Sequence, residues 1–249
     1  MNRKPAYATL ADWFEYLNDD CGYENWSQYL ILELKKSLED YRLPPVGLDV
    51  GCGSGYFTRA FQKNGFSMTG MDVSVEMLDR AKTLALQEGA RSEYLLGDIT
   101  KFKTPSRYSF VTAINDCINY VKKDKLRTAF KNVRSALSKN GIFLFDISSK
   151  GKFSQKIANT VSADDRDDVT YMSFNKPETD GVTMDVTLFV KRADGAFERL
   201  DERHRQYIYT ETEIITALEE CGFTLLSIEG HLGEDKATAD RLTFLAQRN

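Results

Sequence analysis

Through the first forty or so residues the hydrophobic positions fall at helical spacing. Leu10, Trp13, Phe14 and Leu17 form one set, and Trp26, Tyr29, Leu30, Leu34 and Leu38 a second. Intervals of three and four predict two amphipathic helices. The polar stretch Asn18-Asp19-Asp20-Cys21-Gly22 separates them, and Pro44-Pro45 stops the second. Beyond the prolines the pattern changes. Short continuous apolar runs at 46–50, 66–71, 93–96, 108–114 and 142–145 predict strands. Helical stretches at 56–63, from Ser74 onward and at 123–137 lie between them. The Ser74 helix carries Met77, Leu78, Ala81, Leu84 and Ala85 on its apolar face, and Ser-x-x-Met lacks the full capping box. Asn140-Gly141 is a turn. Strands that alternate with helices and are apolar throughout predict a parallel sheet covered on both faces.

The rhythm breaks at about residue 168. From there to about 209 polar and apolar residues alternate as in antiparallel strands, with turn signals at Thr179-Asp180-Gly181 and Ala193-Asp194-Gly195. Thr210 with Glu213 three residues on spells a capping box, so a helix is expected from 210 to 218, ended by Gly222. Residues 223–228 and 242–246 are expected as the last two strands.

Composition narrows the class. The 249 residues are 42% hydrophobic and 28% charged, ordinary values for a folded globular chain. A formal net charge of -4, with lysines scattered among acids as in Lys122-Lys123-Asp124-Lys125, argues against a dedicated nucleic-acid binder. Cys21, Cys52, Cys117 and Cys221 contain no Cys-x-x-Cys pair, so neither a disulfide framework nor a metal site is expected. No secretory signal is apparent and no apolar run approaches a bilayer's width, so a reduced cytoplasmic protein is expected, as monomer or homodimer.

The chemistry concentrates at the carboxyl ends of the strands. Leu48-Asp49-Val50-Gly51-Cys52-Gly53-Ser54-Gly55 is a glycine-rich turn between a strand and a helix, where a ligand can approach bare backbone closely. Asp49, just before the glycines, suits a cationic ligand group better than a pyrophosphate. Residue 56 is Tyr, so the Gly-x-Gly-x-x-Gly of nicotinamide-dependent enzymes is not met. Asp72 ends the second strand, Gly97-Asp98 the third and Asn115-Asp116 the fourth, the edge at which open α/β sheets bind ligands. Asp98 also fits the bland role of capping its own turn.

These motifs resemble those of the class I S-adenosylmethionine-dependent methyltransferases, over residues 48–147 closely and over the last strand pair loosely. The resemblance implies a Rossmann-like, seven-stranded, mostly parallel sheet with an antiparallel last strand. It implies an N-terminal helical lid at 1–45 and a catalytic domain at 46–249, with an inserted antiparallel segment at about 168–209. It implies that Asp49, Gly51, Cys52 and Gly53 surround the methionine portion of S-adenosylmethionine. Asp72 would hold the ribose, and Asp98 with Ile99 the adenine. Val73 or Met77 would pack on that ring, and Asn115 would stand at the same edge. An inserted sheet is similar to that of small-molecule methyltransferases of the glycine and amino-sugar types. In them N-terminal helices cover the cofactor, which makes Tyr7, Trp26 and Tyr29 the corresponding lid residues, with a core role as the alternative for the last two.

The expected activity is methyl transfer to a nitrogen or oxygen of a small molecule by in-line displacement. RNA or protein methylation and a non-catalytic cofactor-binding module are the alternatives. The sulfonium is already electrophilic, so alignment and exclusion of water carry most of the work. A base is needed only where the acceptor arrives protonated. His204 and Tyr207, on an expected strand of the insertion, are its candidates, with a structural histidine as the alternative. His231 is the other histidine. Cys52 and Cys117 read as small packing residues. The run 164–168 reads as a solvated loop, since the glycine and glutamate of a calcium loop are missing.

Overall fold

Two sheets share the chain in the computed structural model, which describes residues 3–104 and 108–249. The order begins β1 (Lys4–Pro5), α1 (Phe14–Leu17), α2 (Tyr23–Asp40), β2 (Val46–Val50), α3 (Tyr56–Lys63) and β3 (Ser67–Asp72). It continues with α4 (Val75–Gln87), β4 (Glu93–Leu96), β5 (Tyr108–Ala113), α5 (Leu126–Ala136), β6 (Leu137–Ser148) and the single turn α6 (Lys150–Lys152). Then follow β7 (Val161–Asp165), β8 (Val169–Glu178), β9 (Gly181–Lys191), β10 (Phe197–Tyr207), α7 (Glu211–Glu220), β11 (Phe223–Gly230) and β12 (Arg241–Arg248).

The larger sheet has the order β11-β12-β6-β5-β2-β3-β4. Neighbours from β4 through β6 are parallel, and β12 is antiparallel to both β6 and β11. This is the Rossmann-like sheet with a reversed strand expected from the sequence. Its two faces are filled by alternate residues of the same strands, as a period of two requires. On β6, Phe143 and Phe145 pack with Phe130 of α5, Ile214 of α7 and Phe244. Ile142 and Leu144 face the other way, toward Phe61 of α3 and Leu30 and Leu34 of α2. Each fully buried aromatic or leucine contributes on the order of 1.5–3 kcal/mol, which explains why these strands carry no polar alternation.

The helix starts follow local chemistry. The Ser74 hydroxyl accepts from the Met77 N–H and caps α4. Thr210 and Glu213 form the reciprocal capping box of α7. The helix expected at 123–137 is shorter. Residues 123–125 form a 3-10 turn, and Leu137 has already turned into β6.

The smaller sheet, β1-β10-β9-β8-β7, is antiparallel apart from the β1–β10 pair. It begins earlier than the expected 168, because Val161 to Asp165 pair with β8. The acidic run 164–168 is therefore partly strand and partly hairpin turn. The first expected helix also shrinks to α1. Residues 6–13 form turns instead, because the N–H groups of Tyr7, Thr9 and Leu10 donate to the Glu202 carboxylate rather than to helical carbonyls. The segment 1–45 thus divides. Tyr7, Leu10, Phe14 and Leu17 pack on the small sheet with Val169 and Leu188, whereas α2 packs on the large one. Among the described residues no helix is long and apolar enough to cross a membrane.

Candidate active site

At the carboxyl ends of β2, β3 and β5 the strands leave an open cavity of about 470 Å³. Its floor is the glycine turn. Gly51 and Gly53 hold φ of 68° and 55°, values at which a side chain is strained. A Cβ on Gly51 would also sit 2.5 Å from the Cys117 sulfur. The Gly51 and Cys52 N–H groups donate to the Met71 carbonyl at 2.7 and 3.1 Å, which ties the turn to the end of β3.

Three carboxylates lie around this floor in different states. Asp49 is buried and accepts from the Thr58 and Thr112 hydroxyls at 2.6 and 2.8 Å. Burial pushes its carboxyl up to about 6 despite these bonds. Asp72 accepts from the Gly53 and Ser74 N–H groups, at 2.8 and 2.9 Å, and so joins the glycine turn to the start of α4. Burial raises its pKa as well, against the two backbone donors. Asp98 goes the other way. Burial would raise it, but the Thr100 N–H and hydroxyl and the Lys101 ammonium hold it below the usual carboxylate range. Asp98 therefore caps its own turn while still facing the cavity.

Val73, Met77, Ile99, Asn115 and Cys52 also line the cavity. Asn115 sits at φ 61°, and its N–H donates to Asp146 at 2.7 Å. The Asn115 side-chain amide donates to the Tyr23 hydroxyl at 3.0 Å. Burial raises the thiols of Cys52 and Cys117, so both are neutral packing groups beside the turn.

Other sequence candidates stand elsewhere. Trp26 is buried between α2 and the large sheet, 4.9 Å from the Phe57 ring and 4.6 Å from the Arg241 guanidinium. Tyr29 donates to Glu229. Neither residue lines the cavity, because the apolar stripe of α2 faces the sheet, and Tyr23 at its first turn reaches the ligand space instead. Tyr207 is also outside. Its carbonyl accepts from Asn119, and the Arg205 guanidinium lies over its ring. His204 lines a second cavity of about 340 Å³, between the small sheet and the N-terminal turns.

The two cavities share Tyr7, Phe14 and Tyr120. Tyr120 and Glu202 escaped the sequence reading. The only trace of Glu202 was its spacing two residues before His204, which puts both on one face of a strand. Arg241, the guanidinium against Trp26, also pairs with Asp116 at 2.8 Å and Asp146 at 2.5 Å. With Lys152 it holds Asp116 ionised although buried, fixing the loop that carries Asn115, Asp116 and Tyr120.

Residues 48–141 match the family model described as a methyltransferase domain. Over 98% of its length the chain is 30% identical to the putative methyltransferase YqeM of Bacillus subtilis (strain 168), covering 97% of that protein. A solved S-adenosylmethionine-dependent methyltransferase from Clostridium acetobutylicum ATCC 824 superposes with a TM-score of 0.85 at 26% identity, over 96% of both chains. The sugar N-methyltransferase KedS8 from Streptoalloteichus sp ATCC 53650 superposes with a TM-score of 0.82 at 15% identity, over 100% of this chain and 96% of that one.

Proposed function

The chain belongs to the class I S-adenosylmethionine-dependent methyltransferases, and from that premise we propose that it methylates a nitrogen or oxygen atom of a small polar molecule. The observation that carries this reading is the pair of adjoining cavities with Tyr7, Phe14 and Tyr120 as their common wall. The first cavity suits the cofactor. A turn with two left-handed glycines, of which Gly51 leaves no room for a side chain, a buried carboxyl without a cationic partner among the described residues, and a second acid at the end of β3 fit a sulfonium amino acid joined to a nucleoside.

Gly51, Cys52 and Gly53 would flank the methionine portion, with Asp49 toward its ammonium. Asp72 would accept from the ribose hydroxyls. Asp98 and Ile99 would meet the adenine, with Val73 and Met77 against the ring. When bound, the cofactor supplies an electrophilic methyl group. The protein's part is to hold an acceptor in the second cavity, aim it across the common wall and keep water out. The second cavity has Asp116 and Asp164 among its lining residues and no lysine or arginine, which favours a neutral or cationic acceptor. KedS8 is a sugar N-methyltransferase, and its shared fold supports an acceptor of comparable size.

One observation favours a second reading. Lys101, Lys122 and Lys125 line the first cavity and are exposed, as a phosphate-bearing polymer would require. Incubation with methyl-labelled S-adenosylmethionine and separate pools of small amines and sugars, RNA and protein distinguishes the two. Label entering a small amine or hydroxyl supports the proposal. Label entering only RNA or protein overturns it, as does failure of the folded protein to bind the cofactor.

A further inference from the structure

The common wall between the cavities is one end of a buried hydrogen-bonded chain that runs along the second cavity to Glu202. The Tyr7 and Tyr120 hydroxyls lie 2.9 Å apart, Tyr120 lies 2.9 Å from Nδ1 of His204, and Nε2 of His204 lies 2.6 Å from Oε1 of Glu202. Glu202 is fully buried and His204 nearly so. The terminus of the chain fixes the hydrogen nearest to it. Oε1 of Glu202 also takes the Tyr7 N–H, and Oε2 takes the Thr9 N–H, the Thr9 hydroxyl and the Leu10 N–H. Burial would raise this carboxyl, yet the His204 contact and these donors hold it below the usual range, so it is an acceptor only. Nε2 of His204 therefore carries hydrogen, and a relay from Tyr120 requires that Nδ1 be the accepting nitrogen. Tyr120, having given its proton to that bond, accepts from Tyr7.

We propose that this chain is a one-way proton relay, in which Tyr120 is the catalytic group that takes the acceptor's proton and His204 and Glu202 position and drain it. The proposal rests on the methyl-transfer reading above. The acceptor's nitrogen or oxygen forms its bond to the methyl carbon while the carbon–sulfur pair stays on sulfur. The acceptor proton passes to the Tyr120 oxygen as the Tyr120 proton passes to Nδ1 of His204. The positive charge lost from sulfur reappears on the imidazolium, beside the Glu202 carboxylate, and no other reactant is needed.

Two further features fit. Tyr7 holds φ 65°, a strained value for an aromatic residue, and the bonds to Glu202 keep it there. The carboxylate that ends the relay is thus also the clasp of the segment that carries Tyr7. The other polar groups facing it are Asp116, beside Tyr7 and Tyr120, Tyr171, beside Tyr120 and Glu202, Gln206 at Tyr120, and Asp72 toward Tyr7.

The test starts from the two histidines of the chain. In protein labelled with nitrogen-15 at histidine, His204→Gln deletes one set of ring signals and so assigns both. The expected His204 ring has hydrogen on Nε2 and a bare Nδ1, whose signal alone moves in Tyr120→Phe. Hydrogen on Nδ1, or a ring unmoved by Tyr120→Phe, overturns the relay even where S-adenosylhomocysteine binds normally. Absence of that binding in the wild type overturns the methyltransferase reading instead. With the small acceptor returned by the label screen, His204→Gln is expected to lower kcat by about 10²–10⁴-fold, with KM and S-adenosylhomocysteine affinity within about twofold. Since His204 borders the second cavity, imidazole should restore part of the rate to His204→Ala. An unchanged kcat, or a loss confined to KM, overturns the proposal.

Discussion

Asp49 offers the sharpest test of how the cofactor floor works. Its carboxyl is buried among the Thr58 and Thr112 hydroxyls with no cation beside it, and burial pushes it from 3.8 to about 6. An acid whose pKa is higher folded than unfolded makes the native state bind more protons across that interval. Stability therefore falls as pH rises from about 4 to about 6, and the cost is complete above the folded value. A rise of roughly two units corresponds to about 3 kcal/mol at most. Asp49→Asn keeps the shape and both hydroxyl contacts, since a threonine hydroxyl can donate or accept, but it cannot ionise. Urea unfolding of the cofactor-free protein at pH 5 and pH 7.5 reads the effect. The variant should gain about 1–3 kcal/mol on wild type at pH 7.5, and about half as much at pH 5. The same substitution should weaken S-adenosylmethionine binding if, as proposed, the ionised carboxylate meets the ligand's ammonium. Wild-type affinity should accordingly rise with pH through about 6, with net proton release on binding. If Asp49→Asn gains equally at both pH values, or binds the cofactor as well as wild type does, the buried carboxyl is not the ammonium's partner and the reasoning fails.

Four other substitutions separate structural from ligand-binding roles. Gly53→Ala meets nothing nearer than the Met77 methyl at 3.8 Å, so it should cost only the left-handed strain of about 1–2 kcal/mol in denaturant. Its affinity for S-adenosylhomocysteine by calorimetry should nonetheless fall more than about tenfold if the ligand contacts this backbone. Trp26→Ala should destabilise by about 3–5 kcal/mol as a buried aromatic, whereas Tyr29→Phe should leave S-adenosylhomocysteine affinity within about twofold. A loss of about tenfold in Tyr29→Phe would return that residue to a lid over the cofactor. Arg241→Met strands Asp116 and Asp146 in the interior and should cost about 3–5 kcal/mol near pH 7. Part of that loss should be recovered near pH 5, as the stranded carboxyls protonate, and a pH-independent loss would show that packing against Trp26 outweighs charge.

Periodicity and turn chemistry are local properties, and what depends on them alone was legible in the residues. The run at 46–50 and the helix at 56–63 coincide with β2 and α3, because a strand buried on both faces must be continuously apolar and a helix must show its stripe, and the run at 93–96 coincides with β4, an exposed edge strand. The Thr210–Glu213 box and the glycine turn were equally plain, since each is closed by residues within a few positions of one another. The gathering of polar residues around the first cavity was readable for the same reason. Asp49, Asp72, Asp98 and Asn115 all end strands of one parallel sheet, and its topology delivers them to one edge.

The acceptor side had no such local signature. Trp26 and Tyr29 shared a spacing compatible with either a core stripe or a lid, and only the docking of α2 against the sheet decided for packing. Residues 6–13 carried a helical pattern, yet a carboxylate nearly two hundred residues away drew off their N–H groups and turned them into a clasp. Tyr7, Tyr120, His204 and Glu202 come from three distant stretches of chain. Their hydrogen bonds exist only because the small sheet folds back over the large one. Side-chain pattern along the chain determined which elements form and which polar residues gather at the strand ends. Long-range pairing alone, with its power to satisfy buried polar groups across the fold, decided what stands opposite them.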